Sequence, residues 1–159
     1  MKVGVIGGGA WGTALAQVAA EGGETLLWAR EPEVVETVNR THENTLFLPG
    51  IPLNPTIRAT GDLGVLAGSD ALLVVTPAQY MRVVLTAMPR LRIPLILCAK
   101  GMEERTMELM HEVARSAQPE AQCSQTLGVD SRSNGRARNR YAALVSAPTG
   151  QIWIVLPEK

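Results

Sequence analysis

The chain has 159 residues, enough for one domain that buries roughly two thirds of its unfolded surface and too few for two independent cores. Its 15 Lys and Arg offset its 15 Asp and Glu, so no global field draws it to nucleic acid or to an anionic membrane, and binding has to come from a local site. No run approaches the roughly 18 apolar residues that span a bilayer, the apolar start runs into glycines rather than a cleavage signal, and Cys98 and Cys123 form no metal-ligand or redox spacing. The expectation is a cytoplasmic protein with no membrane span, no disulfide and no metal site.

Residues 2–6 form the first apolar run of strand length, followed by similar runs at 25–28, 71–75 and 94–98, each almost free of polar interruption. Such runs suit strands buried on both faces, as in a parallel sheet covered by helices. Helical spacing fills the intervals. Residues 11–21 carry Leu15, Val18 and Ala19 on one face, and residues 31–40 carry Val34, Val35 and Val38, with Pro32 in a tolerated first-turn position. Between 41 and 60 the pattern lapses into a loop containing Pro49, Gly50, Pro52 and Pro55, with a short third strand expected near 56–58. A loop of that length inside a compact domain is more often functional than incidental. Residues 79–87 and 106–116 resume helical spacing after breaks at Thr76-Pro77 and Gly101. The repeated unit is a right-handed βαβ crossover, and the fold class expected is α/β, a Rossmann-type doubly wound, mostly parallel sheet.

The expected division is a dinucleotide-binding domain over 1–121 and a divergent tail over 122–159. In the tail Arg132, Arg136, Arg138 and Arg140 crowd a stretch with little apolar content, which reads as solvated and partly disordered. Two apolar runs, 142–145 and 152–156, are candidates for a hairpin across Pro148-Thr149-Gly150, or for one added sixth strand.

The chemistry concentrates in Val3-Gly4-Val5-Ile6-Gly7-Gly8-Gly9-Ala10-Trp11-Gly12. A G-x-G-x-x-G triplet is weak alone, and its position directly after a strand and opening a helix is the context that gives it meaning. Gly7 allows the sharp turn, Gly9 lets the main chain approach a pyrophosphate, and Gly12 lets helix and strand pack closely. Unpaired amides at the helix start then face the phosphates, with the positive end of the helix dipole behind them. A merely tight βα turn is the bland alternative. At the end of the second strand, where an acid would bond an NAD ribose, stands Arg30 followed by Glu31. Arg30 can pair with a 2′-phosphate or stack on adenine, which would admit NADP; the alternative leaves Arg30 solvated and gives the ribose to Glu31. Lys100 emerges at the carboxyl edge of the sheet, able to attract a phosphate or polarise a carbonyl, or serving only as a surface lysine. Thr76-Pro77-Ala78-Gln79 occupies the neighbouring strand end. Phe47 either packs on a bound nicotinamide or anchors its loop, and His42 and His111 read as surface histidines.

Taken together these residues resemble the N-terminal half of bacterial NAD(P)-dependent glycerol-3-phosphate dehydrogenase. The matching segments are Gly7-Gly8-Gly9-Ala10-Trp11-Gly12-Thr13-Ala14-Leu15-Ala16, Leu27-Trp28-Ala29-Arg30, Asn44-Thr45-Leu46-Phe47-Leu48-Pro49-Gly50-Ile51, Thr76-Pro77-Ala78-Gln79 and Ala99-Lys100-Gly101. The resemblance implies hydride transfer between dihydroxyacetone phosphate and glycerol 3-phosphate for phospholipid synthesis, with NAD or NADP as cofactor, a small phosphate-bearing substrate and a homodimer as the candidate assembly. It also implies cofactor contacts at Gly7, Gly9, Ala10, Trp11, Gly12, Arg30, Phe47, Pro77 and Lys100, with Lys100 touching substrate as well. The resemblance fades after about Ala121: the family's Gly-Pro-Ser/Thr segment, helical substrate domain and second, proton-transferring lysine find no match, and the only later lysine is Lys159. The expectation is therefore a chain that holds cofactor but is catalytically incomplete by itself. The other readings are a non-catalytic dinucleotide-binding module, or a dehydrogenase of the ketopantoate reductase or 6-phosphogluconate class.

Overall fold

A computed structural model describes residues 1–125, 144–146 and 152–154. The chain runs β1 (Val3–Ile6), α1 (Ala10–Ala19), β2 (Thr25–Trp28), α2 (Pro32–Thr41), β3 (Glu43–Asn44), β4 (Leu48–Pro52), β5 (Ile57–Thr60), β6 (Ala71–Val74), α3 (Ala78–Ala87), β7 (Pro94–Leu97), α4 (Met110–Ala117) and β8 (Gln122–Gln125). Further on, β9 (Leu144–Ser146) and β10 (Ile152–Ile154) pair as an antiparallel hairpin. The arginine-rich stretch holding Arg132, Arg136, Arg138 and Arg140 lies outside the described residues, as does Pro148-Thr149-Gly150 between the hairpin strands.

Six strands form one sheet in the order β5-β2-β1-β6-β7-β8, and every neighbouring pair is parallel. The chain builds outward from β1 through β2 to β5, then returns to β6 and builds the other side. The direction of winding reverses between β1 and β6, and ligands of open α/β sheets bind at the carboxyl ends of strands beside such a switch.

Strand alternation divides the apolar residues into two cores. Val3, Val5, Leu27, Leu73 and Ile96 meet Leu15 and Ala16 of α1 and Val34 and Val38 of α2 on one face. Ile6, Leu72, Val74, Leu95 and Leu97 meet Met81 and Leu85 of α3 and Met110 and Val113 of α4 on the other. Each fully buried side chain of this size contributes about 1.5–3 kcal/mol, so the two faces hold the sheet between helices. No helix among the described residues is long and apolar enough to cross a membrane.

Three local differences from the sequence reading have physical causes. The sixth strand is β8, whose Gln122, Ser124 and Gln125 give no apolar signal; it is recruited by main-chain pairing with β7. The loop over 41–60 contains a small antiparallel pair, β3 with β4, and is tied down by Leu53 N–H donating to the His42 carbonyl at 2.7 Å and Asn54 N–H donating to Gln17 Oε1 at 2.7 Å. Helix α4 starts at Met110 rather than near 106 because Glu103, Thr106 and Glu108 are drawn into a cluster around Arg82, which holds the preceding residues in a loop. At the outer edge, Asn39 of α2 donates to the Ala59 carbonyl and accepts from the Ala59 N–H, both at 2.9 Å.

The junction of β1 and α1 is the tightest place in the fold. Gly7 has φ +131°, a region that side-chain-bearing residues avoid. Gly12, five residues on in the first turn of α1, packs so closely that a Cβ there would lie 1.8 Å from the Gly7 carbonyl oxygen. Because that neighbour is main chain, it cannot rotate away. Gly12→Ala is expected to cost about 3 kcal/mol or more, at the upper end for overpacking, read as a lowered urea midpoint; an unchanged midpoint would refute the close contact.

Candidate functional site

A cavity of about 420 Å³ opens where β1 and β6 diverge at their carboxyl ends. Gly7, Gly8, Gly9, Ala10, Trp11 and Gly12 form one wall. Trp28, Arg30 and Glu31 enter from the end of β2, and Phe47 from the β3–β4 loop. Val75, Thr76 and Pro77 follow β6, and Tyr80 and Val84 of α3 complete the opposite side. The structure thus brings together Gly7, Gly9, Ala10, Trp11, Gly12, Arg30, Phe47 and Pro77, all singled out in the sequence. Trp28, quoted in the sequence as part of Leu27-Trp28-Ala29-Arg30 but given no task, joins them. Val75, Tyr80 and Val84 do so without an advance signal: each reads as an ordinary core or helix residue until the strand ends are laid side by side.

The first wall has the chemistry of an anion cradle. Gly9 is the N-cap of α1 and supplies no side-chain cap, so the first-turn amides keep their hydrogen-bonding capacity. A Cβ built on Gly9 would meet nothing within 4 Å. The main chain is therefore bare toward the cavity, and the positive end of the α1 dipole stands behind it. These features fit a pyrophosphate bound by the main chain, with exposed apolar side chains beside it, Trp11 63% exposed and Phe47 39%. Thr76 adds a buried hydroxyl without a hydrogen-bond partner at the pocket's edge.

At the β2 end, Arg30 donates from Nε at 3.0 Å and Nη2 at 2.9 Å to the same carboxylate oxygen of Glu31. Arg30 is largely exposed and Glu31 mostly covered. The cation and the acid that were alternatives in the sequence are thus one ion pair on the pocket rim.

Lys100 follows β7 at the carboxyl edge of the sheet, exposed and outside the cavity lining. The loop that follows it is fastened to α3. Gln79 donates to the Met102 carbonyl and accepts from the Glu104 N–H, each at 3.0 Å. Arg82 donates to both oxygens of Glu103, to Glu108 and to the Ser116 hydroxyl. The Arg82 guanidinium, helped by the Thr106 hydroxyl, holds the Glu103 carboxyl down at about 2. Cys98, packed against the core on the α1 and α2 face, has its thiol pushed up to about 11 by burial, which keeps it protonated and suits packing rather than nucleophilic chemistry. Among the described residues no His, Cys, Asp or Glu cluster is placed to hold a metal ion.

A family model described as NAD-dependent glycerol-3-phosphate dehydrogenase N-terminus matches residues 2–131. The chain belongs to this family of glycerol-3-phosphate dehydrogenase N-terminal domains. A glycerol-3-phosphate dehydrogenase [NAD(P)+] of Parvibaculum lavamentivorans is 59% identical over 124 residues, covering 76% of this chain and 37% of the relative. One of Caulobacter vibrioides is 51% identical over 150 residues, covering 92% and 45%. The crystal structure of glycerol-3-phosphate dehydrogenase from Coxiella burnetii superposes with a TM-score of 0.69 at 27% identity, over 78% of this chain and 39% of that one. The chain spans less than half the length of these glycerol-3-phosphate dehydrogenases.

The Arg82 cluster makes a pH prediction. The folded-state Glu103 carboxyl lies below its ordinary 4.5, so its stabilisation is complete above about pH 4.5 and is lost as pH falls toward 2. Glu103→Gln should melt below the parent at pH 7, with the gap closing through this acidic window. A gap that stays constant with pH would show that the ion pair is not its source.

Proposed function

We propose that this chain holds the cofactor of a glycerol-3-phosphate dehydrogenase, binding NADH or NADPH in the cavity between β1 and β6, in a cytoplasmic enzyme acting on a small phosphate-bearing substrate. The observation that carries the reading is the bare main chain at Gly9, set at an uncapped helix start and lining a mostly apolar cavity. Gly9 and Ala10 hold the pyrophosphate through amides, while Gly7, whose N–H is spent on the Trp28 carbonyl at 3.0 Å, makes the turn that brings them there; Trp28, Arg30 and Glu31 take the adenosine end; Phe47, Pro77 and Tyr80 wall the nicotinamide end and exclude water from it. A bound nicotinamide supplies or accepts the hydride exchanged with carbon 2 of the substrate. Lys100, an exposed ammonium at the same sheet edge, draws in the substrate's phosphate or polarises its carbonyl.

The position of Lys100 outside the cavity lining favours a second reading, a module that binds dinucleotide without handling substrate. Trp11 and Trp28 both line the cavity, so NADH should quench their fluorescence saturably. Glycerol 3-phosphate should shift the NAD titration under the first reading and leave it alone under the second. Gly9→Ala should fold as stably as the parent to within about 1 kcal/mol, since a Cβ has open space there, yet lose roughly tenfold or more in NADH affinity. No saturable signal with either nucleotide would overturn the proposal.

Cofactor preference follows from the Arg30–Glu31 pair. The Glu31 carboxylate occupies the guanidinium that a 2′-phosphate would need and repels that phosphate, while remaining an acceptor for a ribose hydroxyl. The parent should therefore favour NADH. Glu31→Gln should tighten NADPH by about fivefold, the size of an exposed ion pair, without tightening NADH; parallel titrations with both nucleotides check this.

A further inference from the structure

Asn44 belongs to no strand-end motif, yet its side chain is fully buried and makes three hydrogen bonds. Its Nδ2 donates to the Gly8 carbonyl at 2.8 Å and to Thr13 Oγ1 at 2.7 Å, and its Oδ1 accepts from the Phe47 N–H at 3.1 Å. Thr13 Oγ1 in turn donates to the same Gly8 carbonyl at 3.4 Å. Two side chains from different elements thus fix one carbonyl of the glycine turn.

Peptide geometry gives this anchoring a consequence. In a trans peptide the carbonyl of one residue and the N–H of the next point in opposite directions, and the described residues contain no cis bonds. A Gly8 carbonyl held inward, between α1 and the β3–β4 loop, turns the Gly9 N–H outward. Gly9 lines the cavity, and no group among the described residues accepts that N–H. Flanked by glycine on both sides, this peptide has few steric barriers to flipping. Its orientation has to be imposed from outside the turn.

We infer that Asn44 is a positioning residue for phosphate binding: by holding the Gly8 carbonyl inward it aims the Gly9 N–H at the pyrophosphate of the bound dinucleotide. This rests on the dinucleotide reading above. A donor fixed in advance binds more strongly than one that must be ordered at the moment of binding. Through Oδ1 the same side chain also holds the Phe47 loop, so the test has to separate the two arms.

The experiment measures NADH affinity, and displacement of NADH by inorganic pyrophosphate, for the full chain with Asn44→Ala and Asn44→Asp, each in parent and Phe47→Ala backgrounds. Asn44→Asp keeps the shape and the acceptor for Phe47 but replaces the donor facing the Gly8 carbonyl by an acceptor. Measurements are made well below each variant's melting temperature, so that lost stability alone leaves affinity unchanged. Expected is a loss of about tenfold or more for both NADH and pyrophosphate, the size of an amide bond to a charged group, undiminished when Phe47 is absent. The Gly9 amide resonance should also lose its NADH-induced shift. Unchanged affinities overturn the inference, and so does a loss confined to chains that retain Phe47. If the Asn44 variants do not fold, Thr13→Val carries the test, with weaker pyrophosphate displacement expected and unchanged displacement overturning it. A parent chain with no saturable NADH signal would instead overturn the dinucleotide reading, and this inference with it.

Discussion

The contact between Gly12 and the Gly7 carbonyl is the constraint on which the molecule's chemistry depends. Helix α1 can start directly above the end of β1 only because Gly12 carries no Cβ to strike the Gly7 carbonyl and Gly7 can take a φ of +131°. That proximity leaves the first-turn amides at the carboxyl edge of the central strand, beside the reversal of winding between β1 and β6. A longer or looser connection would carry the helix dipole away from the cleft and would also shift Leu15 and Ala16 in the core they help to build. The glycine spacing therefore answers to the site and to the packing together.

Around this fixed point the ligand-facing loops are held by polar side chains instead of apolar burial. Asn44 secures the β3–β4 loop to the glycine turn, Gln17 secures the segment after β4, and Gln79 with Arg82 secures the loop after β7 to α3. Loops at a cleft expose their own backbone and have little apolar surface to bury, so directional bonds are the interactions available to shape them. Gln17, Gln79 and Arg82 sit on the helices that flank the cleft, and Asn44 reaches α1 through Thr13. Displacement of α1 or α3 would thus be passed to Phe47 or to the segment after Lys100 without passing through the sheet.

Much of the framework was legible because parallel strands covered on both faces must be continuously apolar, as residues 25–28, 71–74 and 94–97 are. The glycine turn was legible because its residues are constrained by local geometry. Strand β8 was not: its polar residues are chosen by pairing with β7, a contact that leaves no periodic trace. The start of α4 was misjudged for a similar reason, since helical spacing in 106–109 is overridden by the cluster around Arg82. Asn44 could be quoted as part of a motif but not given a task, because its partner at Gly8 is 36 residues away. The same holds for Trp28, Tyr80 and Val84, which become pocket walls only when separate strand ends are brought side by side. Lys100 stands at the expected edge of the sheet but outside the cavity lining, a distinction that no one-dimensional pattern records.

The reciprocal bonds between Asn39 and Ala59 have an effect on solution behaviour. Strand β5 ends the sheet, and an outermost strand offers unpaired N–H and C=O groups to any extended chain that meets it. Thr60 turns its carbonyl toward Ala29 next to β2, so Ala59 turns its own groups outward, and the Asn39 carboxamide engages both. A primary amide carries the same donor and acceptor as a peptide, and here it imitates one residue of a missing neighbour. Intermolecular β-pairing along that border is thereby blocked at its midpoint, an inbuilt guard against aggregation on that flank.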